Sequence, residues 1–541
     1  MRGDARARLL SLPLFALLLV PLLATACDSP PQILEITPGR GAQEVRTNEP
    51  IRIHFDRALD RASVASRFTI HPSASGQVAW EVPNTLVFRH ETLASSTHYS
   101  VSLSGGYRDT RGQVNTFNHS WSFVTERAPE IRVTSPGLGE AQVDPATYLS
   151  LTFSREMNAR SFQDAVTFSP VISFSVRSDP IDARRVILAP KSLLSASAEY
   201  QVSIGSGATD IDGNHLAPTR LRFGTGPFKS LSRWITFVAT EAGASSGMGV
   251  WMVDEAGFPR LLEEGTVDSF SWTPDGAHLL VRRPDGGWIH FPLGGTGIDL
   301  PFKASWAAYL GPESGYAYLD GTELSRLLPN GQIVQVGLGV TGAAVSHDQS
   351  KIAFAEESPL GGTDIRAYDV ELRAQYRVQH EADNVSGLSW APSGTRLAYL
   401  VSAGTSSNSQ LRVKSLAGAA AVTTVASGEL TNPAWLADSN DLTFSARVDA
   451  AGTRMWRIFR INVSLPPAGI TSTGAIGPAN GLDAFLPQPS PDGHQIAFLV
   501  GTPESAQVWV MNADGTGINR LTGFDPKDFP YTVRGLHWAA P

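Results

Sequence analysis

The 541-residue sequence predicts an all-β protein, and three observations carry that expectation. Short runs alternate apolar and polar side chains between turn residues, as in Leu149-Ser150-Leu151-Thr152-Phe153, the period of a strand with one buried face. Turn formers are plentiful, with 50 Gly and 36 Pro, and no segment of helical period longer than about ten residues follows residue 26. Two different internal repeats succeed one another, the first of about 97 residues and the second of 34 to 54.

The N-terminus has its own logic. Arg2, Arg6 and Arg8 precede the apolar run Leu9–Leu23, and the small residues Ala24-Thr25-Ala26 come next, the order of a secretory signal with a cleavage site. Cys27 follows and is the only cysteine. This arrangement resembles the lipobox of bacterial lipoproteins, although Ala24 stands where that motif usually carries leucine. The resemblance implies a signal peptide over 1–26, lipidation of Cys27, and a short tether over 27–31 that ends in Pro30-Pro31. A plain secreted chain with one incidental cysteine is the alternative. The apolar run, broken by Pro13 and Pro21, falls short of the ~20 residues of a membrane span. Asp28 resembles an inner-membrane retention signal of some diderm bacteria, a rule that does not hold in every lineage.

Removing residues 1–26, which carry three arginines and Asp4, takes the formal charge from −8 to −10. That acidic balance, with no basic stripe, excludes a nucleic-acid partner. It also leaves anchorage to acyl chains rather than to attraction by anionic lipid. A single cysteine forms no intramolecular disulfide, so apolar cores must hold the fold.

The first repeat places one sandwich over 32–126 and a second over 127–227. Pro38-Gly39 matches Pro136-Gly137, and Ile51-Arg52-Ile53-His54-Phe55 matches Leu149–Phe153. Tyr99-Ser100-Val101-Ser102-Leu103 matches Tyr200-Gln201-Val202-Ser203-Ile204. An aspartate turn stands ten residues after each tyrosine, and each unit closes on Phe-x-Thr at Phe123-Val124-Thr125 or Phe223-Gly224-Thr225. Several short strands in about 97 residues suit an immunoglobulin-like sandwich. The pattern resembles the bacterial Ig-like domain of S-layer and other envelope proteins, which implies a spacer or adhesion module.

The second repeat runs over 229–541. Its clearest copies are Trp272-Thr273-Pro274-Asp275-Gly276, Trp390-Ala391-Pro392-Ser393-Gly394 and Pro489-Ser490-Pro491-Asp492-Gly493. Weaker copies start at Val345 and Trp435, a divergent one at Trp306 and a truncated one at Trp538. Nine positions after the first residue stand Val281, Phe354, Tyr399, Phe444 and Phe498. The period is that of four-stranded propeller blades. Trp234–Val238 and Gly249–Val253 suit second and third strands, and Gly535–Trp538 a first strand. The C-terminus is therefore expected to complete the first of seven blades and hide both edges. The motifs resemble the WD40-like repeats of TolB-type propellers, whose own count is six.

Candidate chemistry is sparse. Asp210-x-Asp212-Gly213-Asn214 begins like a calcium loop, but the twelfth position, which would need a bidentate glutamate, is Leu221. A hairpin turn explains the same residues, so no metal is expected there. Gly243-Ala244-Ser245-Ser246-Gly247 fits the nucleophile-elbow spacing, yet it falls in a Gly/Ser loop between two blade strands rather than on a strand-to-helix turn. The 12 histidines form no zinc-binding pair, and His347-Asp348 occupies a blade turn. The tryptophans recur at blade spacing, which makes them core first. The expectation is a non-enzymatic protein without cofactor, lipid-anchored at Cys27 on the extracytoplasmic face. Its sandwich stalk would carry a propeller head that binds an envelope protein or a glycan. The alternatives are a polysaccharide-active enzyme with its site in the propeller channel, or a purely structural surface component.

Overall fold

A computed structural model describes residues 29–539, apart from 180, 228–233, 242–246, 255–256, 274–275, 293–295, 417–420, 451, 465–473, 479–480, 503 and 524–528. Strands dominate, and the two α-helices among the described residues, Arg61–Ala65 and Phe162–Ala165, are single turns. No helix among these residues is long and apolar enough to cross a membrane. The chain forms two compact units, residues 1–128 with 210–215, and residues 129–209 with 216–541.

The first unit holds a sandwich of two four-stranded sheets. One runs in the order Ile33–Thr37, Ile51–Phe55, Thr85–His90, Gly76–Val82; the other Ala42–Val45, His119–Thr125, His98–Leu103, Phe68–His71. Alternation buries Ile51, Ile53 and Phe55 from one sheet against Tyr99, Val101 and Leu103 from the other. The second sandwich, in the second unit, repeats this topology with Ile131–Ser135, Leu149–Phe153, Arg185–Pro190 and Phe174–Ser178 facing Val166–Ser169, Glu199–Ile204 and Thr219–Gly224.

The repeated landmarks have a physical reason. The Tyr99 hydroxyl accepts from the Ala94 amide at 3.0 Å, and Tyr200 accepts from Ser195 at 2.9 Å. Thr125 Oγ1 donates to the Ala94 carbonyl and Thr225 Oγ1 to that of Ser195, both at 2.6 Å. The tyrosine stacks on the phenylalanine of Phe-x-Thr, with centroids 5.7 Å apart for Tyr99–Phe123 and 5.5 Å for Tyr200–Phe223. Tyrosine, phenylalanine and threonine thus lock one loop to the closing strand in each module, satisfying its backbone where no strand partner reaches.

From Ile235 to Trp538 seven sheets follow one another among the described residues. Blade one combines Arg260–Glu263, Val250–Val253 and Ile235–Thr240 with the last strand, Thr532–Trp538. Pairings Ile235↔Trp538 through Thr240↔Thr532 join the two ends of the ring. The remaining inner strands are Ser269–Trp272, Trp306–Tyr309, Val340–Val345, Asn384–Trp390, Leu430–Trp435 and Ala484–Pro489. Inner strands of blades four to seven, one and two pack on their neighbours, and second strands pack on the next inner strand between blades two, three and four, the arrangement of a ring around a central channel.

The blade motif explains this packing. The residues nine positions on (Val281, Phe354, Tyr399, Phe444, Phe498) are at most 2% exposed. Indole nitrogens tie successive blades: Trp390 Nε1 donates to the Ala344 carbonyl and Trp435 Nε1 to that of Ser389, both at 3.0 Å, and Trp538 Nε1 to that of Gln488 at 2.7 Å. Each acceptor immediately precedes the first motif residue of the blade before. Trp272 reaches the equivalent carbonyl of His537 through Thr236 Oγ1. A buried indole needs an acceptor, and the ring supplies it at a repeating place.

The propeller also packs on the second sandwich within the second unit. Ala146 and Leu193 join Trp234, Met252 and Ala539 in one apolar cluster, and Ile187 and Ala189 cover Phe258. At its centre Arg260 is fully buried, with its guanidinium 5.1 Å from the Trp234 ring.

Candidate functional site

A repeated backbone irregularity shapes one end of the propeller channel. The residue three positions before the first motif residue is left-handed in four successive blades: Gly387 (φ 61), Asn432 (φ 53), Leu486 (φ 55) and Gly535 (φ 61). In each case the pairing register shifts at that point, the mark of a β-bulge. Glycine and asparagine tolerate such a φ, but leucine is an outlier there, and strain of this kind concentrates at functional sites.

Three of these bulges border a cavity of about 550 Å³. Its wall comes from the first residues of the inner strands of blades six, seven and one, including Asn432, Phe485, Leu486 and Arg534. Glu241, just past the second strand of blade one, and Glu504, just past the second strand of blade seven, complete the rim. Arg534 Nη2 donates to the Val267 carbonyl at 3.3 Å, which aligns the guanidinium along the rim. The result is an apolar floor with two carboxylates and one guanidinium around it, the composition of a site that grips an apolar body and reads polar groups at its edge.

Along the same inner strand as Arg534 stands His537, packed edge-on against Phe270 at 5.3 Å. The residue is half-buried, and desolvation by the surrounding protein pushes its pKa down to about 4. It is neutral at physiological pH.

The residues singled out by sequence fall as follows. Cys27 and the signal segment lie outside the described residues, as do 243–246 of the elbow-like stretch. His347 is exposed, and Asp348 Oδ1 accepts from Ser346 Oγ at 2.6 Å and from the Ser350 amide at 3.1 Å, which makes the pair a turn fastener. The motif tryptophans of blades two, five and six and of the closing strand spend their indole N–H groups on the fastenings between blades. Asp210 Oδ1 accepts from the amides of Asp212 and Asn214, as Asp109 Oδ1 does from those of Arg111 and Gln113. Leu221 is buried in the closing strand of its sandwich and supplies no ligand atom. Glu126, however, lies beside the two aspartates, with ligand atoms of all three within 4.8 Å of one another.

Sequence reasoning missed the channel rim, because Glu241, Glu504 and Arg534 come from three separate segments. The one signal available was a glycine or asparagine three positions before the motif, at Gly387, Asn432 and Gly535.

No curated protein matches the chain by sequence. Among solved structures, TolB from Acinetobacter baumannii is similar over 70% of this chain and 83% of its own, at 14% identity and a TM-score of 0.37. A putative TolB from Agrobacterium tumefaciens covers 53% and 87% at 15% identity and 0.35. An oligogalacturonate lyase in complex with manganese covers 55% and 87% at 14% identity and 0.38. Likeness at this level carries nothing about activity. Residues 28–125 and 126–225 each match the family of the bacterial Ig-like domain, so the chain carries two such domains ahead of its β-propeller.

Proposed function

We propose that this protein is an exported lipoprotein, anchored through Cys27, whose propeller binds an envelope protein non-covalently at the channel mouth. The cavity of about 550 Å³ carries this reading. Its apolar floor at Phe485 and Leu486 accepts an inserted side chain or loop, while Glu241, Glu504 and Arg534 select for polar partners around it. The two Ig-like domains suit a stalk. Anchorage and the binding partner are both parts of the proposal, and each has its own support: the charged, apolar and small-residue order before Cys27 for the first, the rim geometry for the second.

The test compares the mature chain (27–541) with a Glu504→Arg/Arg534→Glu variant in crosslinking from envelope extract. A saturable protein partner captured by the wild type and lost from the variant supports the reading. Equal capture by both places the contact elsewhere on the molecule. Metabolic labelling with an alkynyl fatty acid, compared between wild type and Cys27→Ser, tests the anchor separately.

The convergence of two carboxylates and a guanidinium on one cavity gives a second reading, a polysaccharide-active enzyme. Turnover of an acidic or neutral polysaccharide that disappears in Glu241→Gln or Glu504→Gln would establish it in place of the binding role.

A further inference from the structure

The acidic turn at 210–214 holds more than a hairpin requires. Asp210 Oδ1 already fastens the turn, so its second oxygen is not needed for that purpose. Asp210 Oδ2 and Glu126 Oε1 both face Asn214 Nδ2, each at 2.8 Å. Glu126 and Asp210 are 3% and 2% exposed, and the Asp212 side chain adds a third carboxylate to the group. Arg46 Nε stands 4.0 Å from Asp212 Oδ1, on a side chain that is mostly in solvent. Three carboxylates are thus gathered within one small region, two of them buried.

Asn214 adds an unmet need of its own. Its side chain is 97% buried by its 3% exposure, and Oδ1 accepts no hydrogen bond. Amide geometry puts Oδ1 about 2.2 Å from Nδ2, on the amide whose nitrogen faces the two carboxylates. A half-turn about the soft terminal torsion of asparagine brings Oδ1 to the point Nδ2 now occupies, facing Glu126 and Asp210.

We propose that Glu126, Asp210, Asp212 and Asn214 form a calcium site. Every ligand atom is a hard oxygen, and the set contains no imidazole or thiolate of the kind zinc prefers. Four side chains from two distant segments form an irregular shell, which suits the six to eight flexible ligands of Ca²⁺ better than the strict octahedron of Mg²⁺. Asp212 is the most exposed of the four, so water fills the remaining positions from its side. Without the ion, the Asn214 amide hydrogens hold Glu126 and Asp210 together; with it, the amide oxygen becomes a ligand. Glu126 takes the place of the twelfth-position glutamate that the linear motif lacks. The equivalent turn of the first sandwich has no such site, because Arg111 replaces the second aspartate and Arg57 stands 3.7 Å from Asp109 Oδ2.

The test is calorimetric titration of the mature chain with CaCl₂ after chelation, together with thermal melts in EDTA and in millimolar Ca²⁺ or Mg²⁺. Saturable Ca²⁺ binding is expected, with a higher melting temperature in Ca²⁺ than in Mg²⁺. Asp212→Asn keeps the fold, since the turn uses the Asp212 backbone, and is expected to weaken binding roughly tenfold or more; Asn214→Ala serves as the second variant. No heat and no change of melting temperature in the wild type would overturn the site. Binding that survives both substitutions would overturn it too, by placing the ion elsewhere.

Discussion

Arg260 Nη1 in blade one donates to the carbonyl oxygen of Thr147 in the second sandwich at 2.9 Å, and to that of its neighbour Ala146. Burial pushes the guanidinium's pKa down to about 10, still far above neutrality, so a full positive charge sits between sandwich and propeller. The Leu261 amide, one residue on, donates to the Lys191 carbonyl at 2.6 Å and fixes the same contact from the backbone. Arg260→Ala leaves two carbonyls without their donor and opens a cavity. A loss of about 3 kcal/mol is expected, read as a lower urea midpoint, and an unchanged midpoint would refute the role.

Ring closure gives a second expectation. The strand Thr532–Trp538 supplies all of the pairing on one edge of Ile235–Thr240, and Trp538 also ties blade one to Gln488. Deleting 535–541 should therefore lower the melting temperature of the whole propeller by several degrees or more. If the truncated chain melts like the intact one, closure does not hold the ring.

His537 sets a pH dependence whose sign is fixed. Its folded pKa, about 4, lies below the unfolded value of about 6.5. Between these values the unfolded chain binds the proton and the folded chain does not, so stability rises with pH across this window and is fully present above about 6.5. The contribution lost on acidification to pH 4 is about 3 kcal/mol. Comparing wild type with His537→Gln should show a flatter profile in the variant between pH 4 and 6.5, with the two curves parallel above it.

The channel bulges separate backbone strain from crowding. A methyl group on Gly535 would meet only Phe270 Cε1, at 4.0 Å, so Gly535→Ala should cost about 1 kcal/mol from the left-handed backbone alone. On Gly387 the added carbon would stand 3.2 Å from Leu400 Cδ1, so Gly387→Ala should cost measurably more. Equal losses in paired denaturation curves would deny the difference in packing.

The fold was legible wherever its determinants repeat. Tyr99 with Thr125 and Tyr200 with Thr225 announce the sandwiches because the same loop lock is built twice. Trp390, Trp435 and Trp538 announce the blades because each indole fills the same interblade slot. Contacts made once are different. Glu126 meets Asp210 only after two sandwiches have folded, and nothing in its neighbourhood, Thr125-Glu126-Arg127, marks it as a ligand. Arg260 reads as a surface charge until the sandwich carbonyls cover it, and the cavity rim exists only when the ring has closed.

Blade seven begins its motif with Pro489, which has no indole to send to blade six. Its inner strand is fastened there by the Leu486 amide, which donates to Ser445 Oγ at 3.1 Å. Leu486 is also the left-handed leucine in the wall of the cavity. The joint between these two blades shares its fastening with Trp456, whose amide donates to Asp483 Oδ1 at 2.9 Å, and Arg460, whose Nη1 donates to the Ala513 carbonyl at 2.8 Å. One strained residue thus belongs to two structures at once, the lining of a cavity and the stitching of a seam, so a substitution at Leu486 alters both together.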